Sequence, residues 1–421
     1  MAKTRKPTAE STTTATKPLP AGWRWFRFDE LAKNINERVD DPSEAGVEHY
    51  VGLEHLDSDS LKIRRWGTPD DVEAQKLRFH PGDIIFGKRR AYQRKLCVAE
   101  FDGICSAHAM VLRADPKNIV PELLPFFMQT DAFMHRARAI SKGSLSPTIN
   151  WPDLAKQRFA IPGDRAEQER MLAILSACEF ARQQAEATAL ACSTALSAFR
   201  NEVWKCGLQV GPLRVTEIGS IPAHWDVAPL NRLVESSAVG PRFPAEAYSE
   251  SGNVRTIRTT DFDRCGEIIY SPTMPWTTLD DEVISRHRLV PGDFLFSRSG
   301  QYCGLVAVFT ESEGTFIPAA FVIRFRLQPR LNPHYLSLLF YSDYGTKYVL
   351  ALAAGGDQVN IPGSAVLKLT IPVPPLSEQH EIVKRAESLS ARAEELLSQT
   401  NRLKKLKSVL LAHLLTPKAE S

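Results

Sequence analysis

The densest chemistry in the chain lies between residues 87 and 95, where Gly87 is followed by Lys88, Arg89, Arg90, Ala91, Tyr92, Gln93, Arg94 and Lys95. Five basic groups in so short a segment can neutralise phosphates. Arg and Gln can pair with base edges, and a Tyr can stack or pack beside them. A second segment, Ser297, Arg298, Ser299, Gly300, Gln301 and Tyr302, is less charged but still polar and glycine-containing. Two further loops share this character. One holds Ser141, Lys142, Gly143 and Ser144, the other Gly355, Gly356, Asp357, Gln358, Val359 and Asn360. Glycines let a backbone approach a ligand closely, while Gln and Asn suit adenine. The candidate nucleic-acid contacts are therefore Lys88, Arg89, Arg90, Tyr92, Arg94 and Lys142 in one place. In the other they are Arg298, Gln301, Tyr302, Gln358 and Asn360. A solvated basic hairpin is the competing reading of the charge run.

Catalytic patterns fit the chain poorly. Gly82 to Lys88 has the outline G-x-x-x-x-G-K of a phosphate-binding loop, but Arg89 stands where Ser or Thr would hold magnesium, and the intervening Ile-Ile-Phe is strand-like. Asn332-Pro333-His334-Tyr335 resembles the Asn-Pro-Pro-Tyr motif of amino-methyltransferases, yet His334 breaks it and no Gly-x-Gly occurs in the chain. Asn332 reads better as a helix cap with Pro333 in the first turn. His49, His55, His80, His108 and His135 show no metal-ligand spacing. Seven cysteines, an odd number without a Cys-x-x-Cys pair, argue against a disulfide framework and a zinc site. The expectation is a chain without its own catalytic residues, metal or cofactor.

The elements that must carry these loops occur twice. Pro81-Gly82-Asp83-Ile84-Ile85-Phe86 returns 210 positions later as Pro291-Gly292-Asp293-Phe294-Leu295-Phe296. Trp23 is matched by Trp225 at 202, Tyr92 by Tyr302 at 210 and Asn150 by Asn360 at 210. Ile161-Pro162 is matched by Ile371-Pro372 at 210, and Glu167-Gln168 by Glu378-Gln379 at 211. Landmarks in one order with nearly constant offsets indicate a duplicated domain, since solenoid periods run only about 20–50 residues. Each copy reads as mixed α and β. The first has strands at 83–86, 109–113 and 159–162 and a helix at 121–134; the second has strands at 293–296, 320–325 and 369–372 and a helix at 333–341. Ala-Met-Val-Leu-Arg at 109–113 parallels Ala-Phe-Val-Ile-Arg at 320–324. A shared scaffold with divergent loops suits two sites that recognise different things.

Each copy ends in a heptad seam. Met171, Leu175, Cys178, Ala185, Ala189, Cys192, Leu196, Phe199 and Val203 alternate at three- and four-residue steps, with Arg182 as the one polar interruption. Ile382, Ala386, Leu389, Ala393, Leu396, Thr400, Leu403, Leu410 and Leu414 repeat the design. The seam makes Cys178, Cys192 and Cys206 small fillers. Each helix would run about 57 Å at 1.5 Å per residue. Two such stripes are expected to pair with each other, antiparallel, so that one head lies at each end. Charged outer faces, including Glu394, Glu395, Lys404, Lys405 and Lys407, are left for partners or solvent.

The fold class expected is α+β: two tandem pseudo-repeated α/β recognition domains, each followed by a long helix, with the helices pairing as an antiparallel coiled coil. The boundaries are a disordered tail over 1–18, a first head over 19–165, its helix over 166–206 and a linker over 207–220. A second head over 221–376, its helix over 377–416 and a tail over 417–421 complete the chain. The chain of 421 residues suits two domains, and its 43% hydrophobic and 24% charged fractions describe a globular protein. No apolar stretch approaches a membrane span and residues 1–20 lack the apolar core of a secretory signal, so a cytoplasmic protein is expected. The net charge of +3 is only mildly basic and neither requires nor forbids nucleic acid.

Leu-Pro-Ala-Gly-Trp23 and Ile-Pro-Ala-His-Trp225 at the head starts, the two Pro-Gly-Asp-x-x-Phe turns, and Leu369-Thr-Ile-Pro-Val-Pro-Pro-Leu-Ser-Glu-Gln379 leading into a heptad helix are similar to the specificity subunits of type I restriction-modification systems. The first junction departs from the motif, with Ile161-Pro162-Gly163-Asp164-Arg165-Ala166-Glu167-Gln168 lacking the second Pro pair. The resemblance covers both halves. It implies two target recognition domains, each reading half of a split, asymmetric site on double-stranded DNA, with paired helices fixing the unread gap. It further implies partners: modification (methyltransferase) subunits that bind S-adenosylmethionine and methylate adenine, and restriction/translocase subunits that use ATP and Mg. All cofactors would sit on those partners. A duplicated protein-interaction scaffold without DNA binding is the reading from another class, and a fused methylase-nuclease system is a closer alternative.

Overall fold

A computed structural model describes residues 19–209, 211–263, 265–311, 313–353 and 360–417. The tail expected over 1–18 and the Gly355–Val359 segment with Gln358 lie outside the described residues. The chain divides into two compact units, one of residues up to 185 together with those from 398 onward, the other of residues 186–397.

In the first unit, Trp23–Arg27 pairs antiparallel with Arg158–Pro162, closing the head where its chain enters and leaves. A four-stranded sheet has the spatial order Ala32–Ile35, Met110–Ala114, Ile84–Phe86, Leu96–Val98. A second four-stranded sheet runs Arg38–Val39, Lys76–Phe79, Gly103–Ser106, Tyr50–Val51. The run Ile84-Ile85-Phe86 is apolar throughout because both of its faces are covered. Ile84 and Phe86 enter a core with Phe28, Leu112, Phe127 and Phe133, whereas Ile85 enters another with Phe79, Cys97, Cys105 and Val111. This strand occupies the stretch that imitated a phosphate-binding loop.

The second unit repeats the plan. Asp226–Pro229 pairs with Thr370–Val373, and a four-stranded sheet has the order Val234–Val239, Val322–Leu327, Phe294–Ser297, Val306–Val308. Phe294 and Phe296 again face one core and Leu295 the other. A three-stranded sheet of Trp276–Thr277, Val254–Ile257 and Phe316–Pro318 replaces the second sheet, and a hairpin of Leu213–Thr216 with Gly219–Pro222 is added. The helix expected over 121–134 is two helices, Leu123–Met128 and Asp131–Ala139, because Thr130 starts anew by capping Phe133 N–H at 3.2 Å. Its counterpart Pro333–Phe340 has Asn332 as its cap, accepting from His334 and Tyr335 N–H at 2.9 and 3.2 Å, and is followed by a further helix, Asp343–Ala353.

The repeated sequence marks are structural anchors. Gly82 and Gly292 have φ of +89° and +91°, which glycine adopts without strain, and each turns the chain so that the next aspartate points inward. Asp83 and Asp293 are 1% exposed, and each is gripped by an arginine. Gln168 and Gln379, also buried, stitch each long helix to its head. Gln168 Oε1 accepts from Val120 N–H at 2.7 Å while its amide donates to Asn118 and Pro162 carbonyls at 3.1 and 2.8 Å. Gln379 does the same with Asn332, Arg330 and Pro374 at 2.8, 2.9 and 2.9 Å.

These bonds also correct three pairings read from the sequence. Pro162 corresponds to Pro374, so Ile161-Pro162 is matched by Val373-Pro374 and not by Ile371-Pro372. Leu112 and Phe325 occupy the same ladder position opposite Ile84 and Phe294, which makes Arg326, not Arg324, the counterpart of Arg113. Ile149 N–H donates to the Lys88 carbonyl at 3.0 Å as Ile361 N–H does to that of Arg298 at 2.8 Å, so Asn360 matches Thr148. Asn150 instead precedes the short helix Trp151–Ala155.

The heptad seams lie in single helices, Arg165–Cys206 and Leu376–Leu414. In the first unit Met171 and Leu175 share a core with Leu411 and Leu415, and Cys178 Sγ lies 3.7 Å from the Leu403 carbonyl. In the second, Leu196, Val203 and Trp204 share one with Ile382, Val383 and Ala386. Cys178 is buried as a filler should be, but Cys192 is half-buried and Cys206 exposed. Arg182 interrupts the seam because it belongs to a buried charge cluster: its Nη2 donates to Glu179 Oε1 at 2.7 Å, and Lys407 Nζ reaches Glu179 Oε2 at 2.9 Å. Lys407 is thus a seam residue, 6% exposed, and not part of the outer face.

Candidate nucleic-acid interface

The fold brings the basic segment and the later loop of the first head together. Arg89 and Thr148 form a bridge, Lys142 and Thr148 another, and Arg90 N–H donates to the Pro147 carbonyl at 2.8 Å. Arg89 Nη2 and Arg90 Nη2 both reach Ser146 Oγ, at 3.3 and 3.2 Å. Leu145 stands at the loop tip, 92% exposed. Tyr92 is half-exposed on the short turn Ala91–Gln93. That turn is flanked by Arg90 and Arg94, both left-handed with φ of 58° and 53°. The second head has Gly300 and Gly304 at these places, with φ of 72° and 91°. A non-glycine residue there costs about 1–2 kcal/mol, so each arginine needs a reason.

Arg94 has a structural one. Its guanidinium donates to Asp59 at 2.6 Å, Asp131 at 2.9 Å and the Gln129 carbonyl at 2.6 Å, which locks the turn to the following helix. It therefore separates from the other candidates. Lys95 likewise bonds the Leu53 carbonyl at 2.7 Å, and Lys142 pairs with Asp153 at 2.8 Å while remaining exposed. Arg90 has no comparable anchor: its side chain is exposed and its one polar contact is Ser146.

Sequence reading missed three members of this cluster. Burial holds the Lys88 ammonium below its ordinary pKa, and Arg38 pushes it the same way. Burial, then Arg89, Lys88 and Lys76, lowers His108, which accepts from Arg89 Nη1 at 3.3 Å. Arg38, Lys76 and His108 come from strands or turns far apart in sequence, so no local charge run announces them. None of Arg38, Lys76, Lys88, Arg89 and Arg90 forms an ion pair among the described residues. Cations gathered without a carboxylate between them, so that Arg38 lowers Lys88 and Arg89 lowers His108, form a site prepared for an anion.

In the second head the same loop pair lines a cleft of about 870 Å³ with Arg242, Thr259, Arg298, Gln301, Tyr302, Phe321 and Asn360. Ser299 and Asn360 form the bridge equivalent to Arg89 and Thr148, and Arg298 Nε donates to Asn360 Oδ1 at 3.1 Å. Arg298, Gln301, Tyr302 and Asn360 are thus together, whereas Gln358 lies outside the described residues. Arg242, Thr259 and Phe321 were not singled out by sequence, being scattered over three segments. No group of His, Cys, Asp and Glu that would hold a metal occurs among the described residues.

Residues 222–406 match the family model of the type I restriction modification DNA specificity domain. The chain is 30% identical over 140 residues to the EcoDI type I specificity subunit of Escherichia coli, a stretch that is 33% of this chain and 31% of that one. It is 24% identical over 371 residues to the StySPI specificity subunit of Salmonella potsdam, 79% and 73% of the two chains. The matches thus span about a third to a half of most of these curated relatives. Among solved structures, the S subunit of a type I restriction-modification system from M. genitalium is similar with a TM-score of 0.57 at 12% identity, over 97% of this chain and 99% of that one. A chain described with complex assembly and conformational transition of the type I R-M system also has a TM-score of 0.57, at 19% identity, covering 95% and 99%. Residues 222–406, the second head and its long helix, thus carry the likeness to the type I restriction modification DNA specificity domain, and the chain as a whole shares the fold of the two solved structures.

Proposed function

We propose that this chain is the non-catalytic, sequence-specific DNA reader of a type I restriction-modification complex. Each head reads one half of a bipartite, asymmetric site on double-stranded DNA, and the two long helices fix the gap. Modification subunits supply S-adenosylmethionine-dependent adenine methylation, restriction/translocase subunits supply ATP- and Mg-dependent cleavage, and the complex works in the cytoplasm. The observation that carries this reading is the repeated loop pair. At equivalent places in both heads it gathers basic side chains, beside the Asn360 amide in the second head and beside Arg38 and Lys76 in the first, whose five cations have no carboxylate partner among the described residues. No described helix is long and apolar enough to cross a membrane.

Lys88, Arg89 and Arg90 with Tyr92 serve the first half-site. Arg298, Gln301, Tyr302 and Asn360 serve the second, with Gln358 in the same loop as Asn360. Lys142 adds a peripheral phosphate contact once its pair with Asp153 opens. Arg94 is assigned to holding the turn. The decisive experiment is sequencing modified bases in the host genome with and without this gene. Loss of adenine methylation at one split, asymmetric motif is expected. An unchanged methylation pattern, together with no motif-specific binding by the purified chain, would favour a protein-pairing scaffold.

A further inference from the structure

The two heads differ in chemistry at one register-equivalent position beside the loop pair. Phe86 pairs with Met110 and Phe296 pairs with Ile323. Two residues before each partner stand His108 and Phe321, both at the mouth of the loop pair described above. His108 is exposed and polar, and Arg89 donates to its ring. Phe321 is 53% exposed, and its carbonyl accepts from Arg298 N–H at 2.9 Å, which places it directly beside the cleft.

A half-bare phenyl in a concave cleft rimmed by polar side chains is an unfilled contact. Val239, 40% exposed, lines the same cleft and pairs with Ile323, two residues along the strand from Phe321. Together they make an apolar spot rimmed by Arg242, Arg298, Gln301 and Asn360. In the major groove only thymine offers an apolar group, its 5-methyl, while its paired adenine offers the N6 donor and N7 acceptor that Asn and Gln match. The rim arginines suit the flanking phosphates.

Building on the DNA reading above, we propose that Phe321, backed by Val239, is a specificity-determining residue that reads the methyl group of a thymine in the second half-site. The exchange of His108 for Phe321 at one ladder position is then a source of the difference between the two half-sites. An imidazole beside Arg89 offers hydrogen bonds to a base edge; a phenyl offers only shape and apolar surface.

The test uses the full chain with its modification partners and duplexes carrying the motif found by methylation sequencing. Each thymine of the second half-site is replaced singly by deoxyuridine, which lacks only the methyl. One replacement should weaken binding about fourfold, the worth of one buried methyl group. Phe321→Ala should bind less tightly and be indifferent to that same replacement. Phe321→His, which keeps a ring of similar size, should also lose the thymine preference. First-half-site replacements should act equally on wild type and variants. The proposal is overturned if the second half-site contains no A·T pair, if no replacement affects wild type, or if the variants keep the same sensitivity. Failure of wild type to distinguish the motif from scrambled DNA would instead overturn the DNA reading itself, and this proposal with it.

Discussion

Asp83 and Arg113 meet through two parallel hydrogen bonds, Nε to Oδ1 at 2.7 Å and Nη2 to Oδ2 at 2.9 Å, and Asp293 repeats the arrangement with Arg326 at 2.9 and 2.9 Å. Each aspartate also accepts from the backbone of its own turn, His80 N–H at 2.9 Å and Val290 N–H at 2.8 Å. The most visible repeated motif of the chain is therefore a fold anchor below the loops. Removing the arginine leaves a buried carboxylate with only turn amides. Arg113→Ala and Arg326→Ala should each cost about 2 kcal/mol, less than a fully buried pair because the arginines keep part of their surface in water. Denaturant unfolding of the two variants checks this; a loss under 0.5 kcal/mol in both would contradict it.

Arg90 separates stability from function. Arg90→Gly removes the left-handed strain of about 1–2 kcal/mol and adds glycine's entropic cost of about 0.5–1 kcal/mol, so stability should hold or rise slightly. Affinity for the motif should fall all the same, and the slope of log K against log salt should shrink by about 1 if a phosphate contact is lost. Equal affinity with an unchanged slope would remove Arg90 from the interface.

The buried cluster of Glu179, Arg182 and Lys407 makes a pH-dependent contribution. Burial alone would raise the Glu179 carboxyl, but the Arg182 hydrogen bond and the Lys407 charge outweigh it and bring its pKa down to about 2. A carboxylate depressed in the folded state adds stability that is fully present above its ordinary value near 4.5 and is lost as pH falls toward 2. Glu179→Gln should therefore be less stable than wild type by about 2–3 kcal/mol at pH 7, and that gap should narrow steadily below pH 4.5. Thermal unfolding of both proteins across pH 2.5–7 measures it; a gap independent of pH would refute the assignment.

How much of this was legible in the sequence follows from which interactions are local. The Pro-Gly-Asp turns, the Asn332 cap and the helix seams are local patterns, and they mark real elements. The pairing of Asn150 with Asn360 went astray because the copies differ by two or three residues between the 84–86 strand and the junction, which only the ladder register reveals. Lys407 was unreadable as a seam residue because its partner Glu179 lies 228 positions away. Phe321 passed for an ordinary strand residue within Ala-Phe-Val-Ile-Arg, since its exposure depends on where Val322 begins the ladder. Arg94 was drawn into the site by its neighbours' charge, although Asp59 and Asp131 claim it.

The last prediction concerns the spacer. Within the first unit the 165–185 stretch of one long helix shares a core with the end of the other, and within the second unit the 186–206 stretch does so with the 376–397 stretch. A heptad added to one helix alone would throw these seams out of step. One heptad inserted in both, after Ala185 and after Leu397, keeps the seam contacts within each unit in register and adds about 10.5 Å of helix at 1.5 Å per residue. At about 3.4 Å per base pair this corresponds to about three base pairs. If the helices set the gap, the doubly extended chain should direct methylation to the same two half-sites separated by about three additional base pairs. Methylation sequencing of a host carrying the variant reads this directly. A folded, methylation-competent variant with the original gap would show that the helices hold partners but do not measure distance.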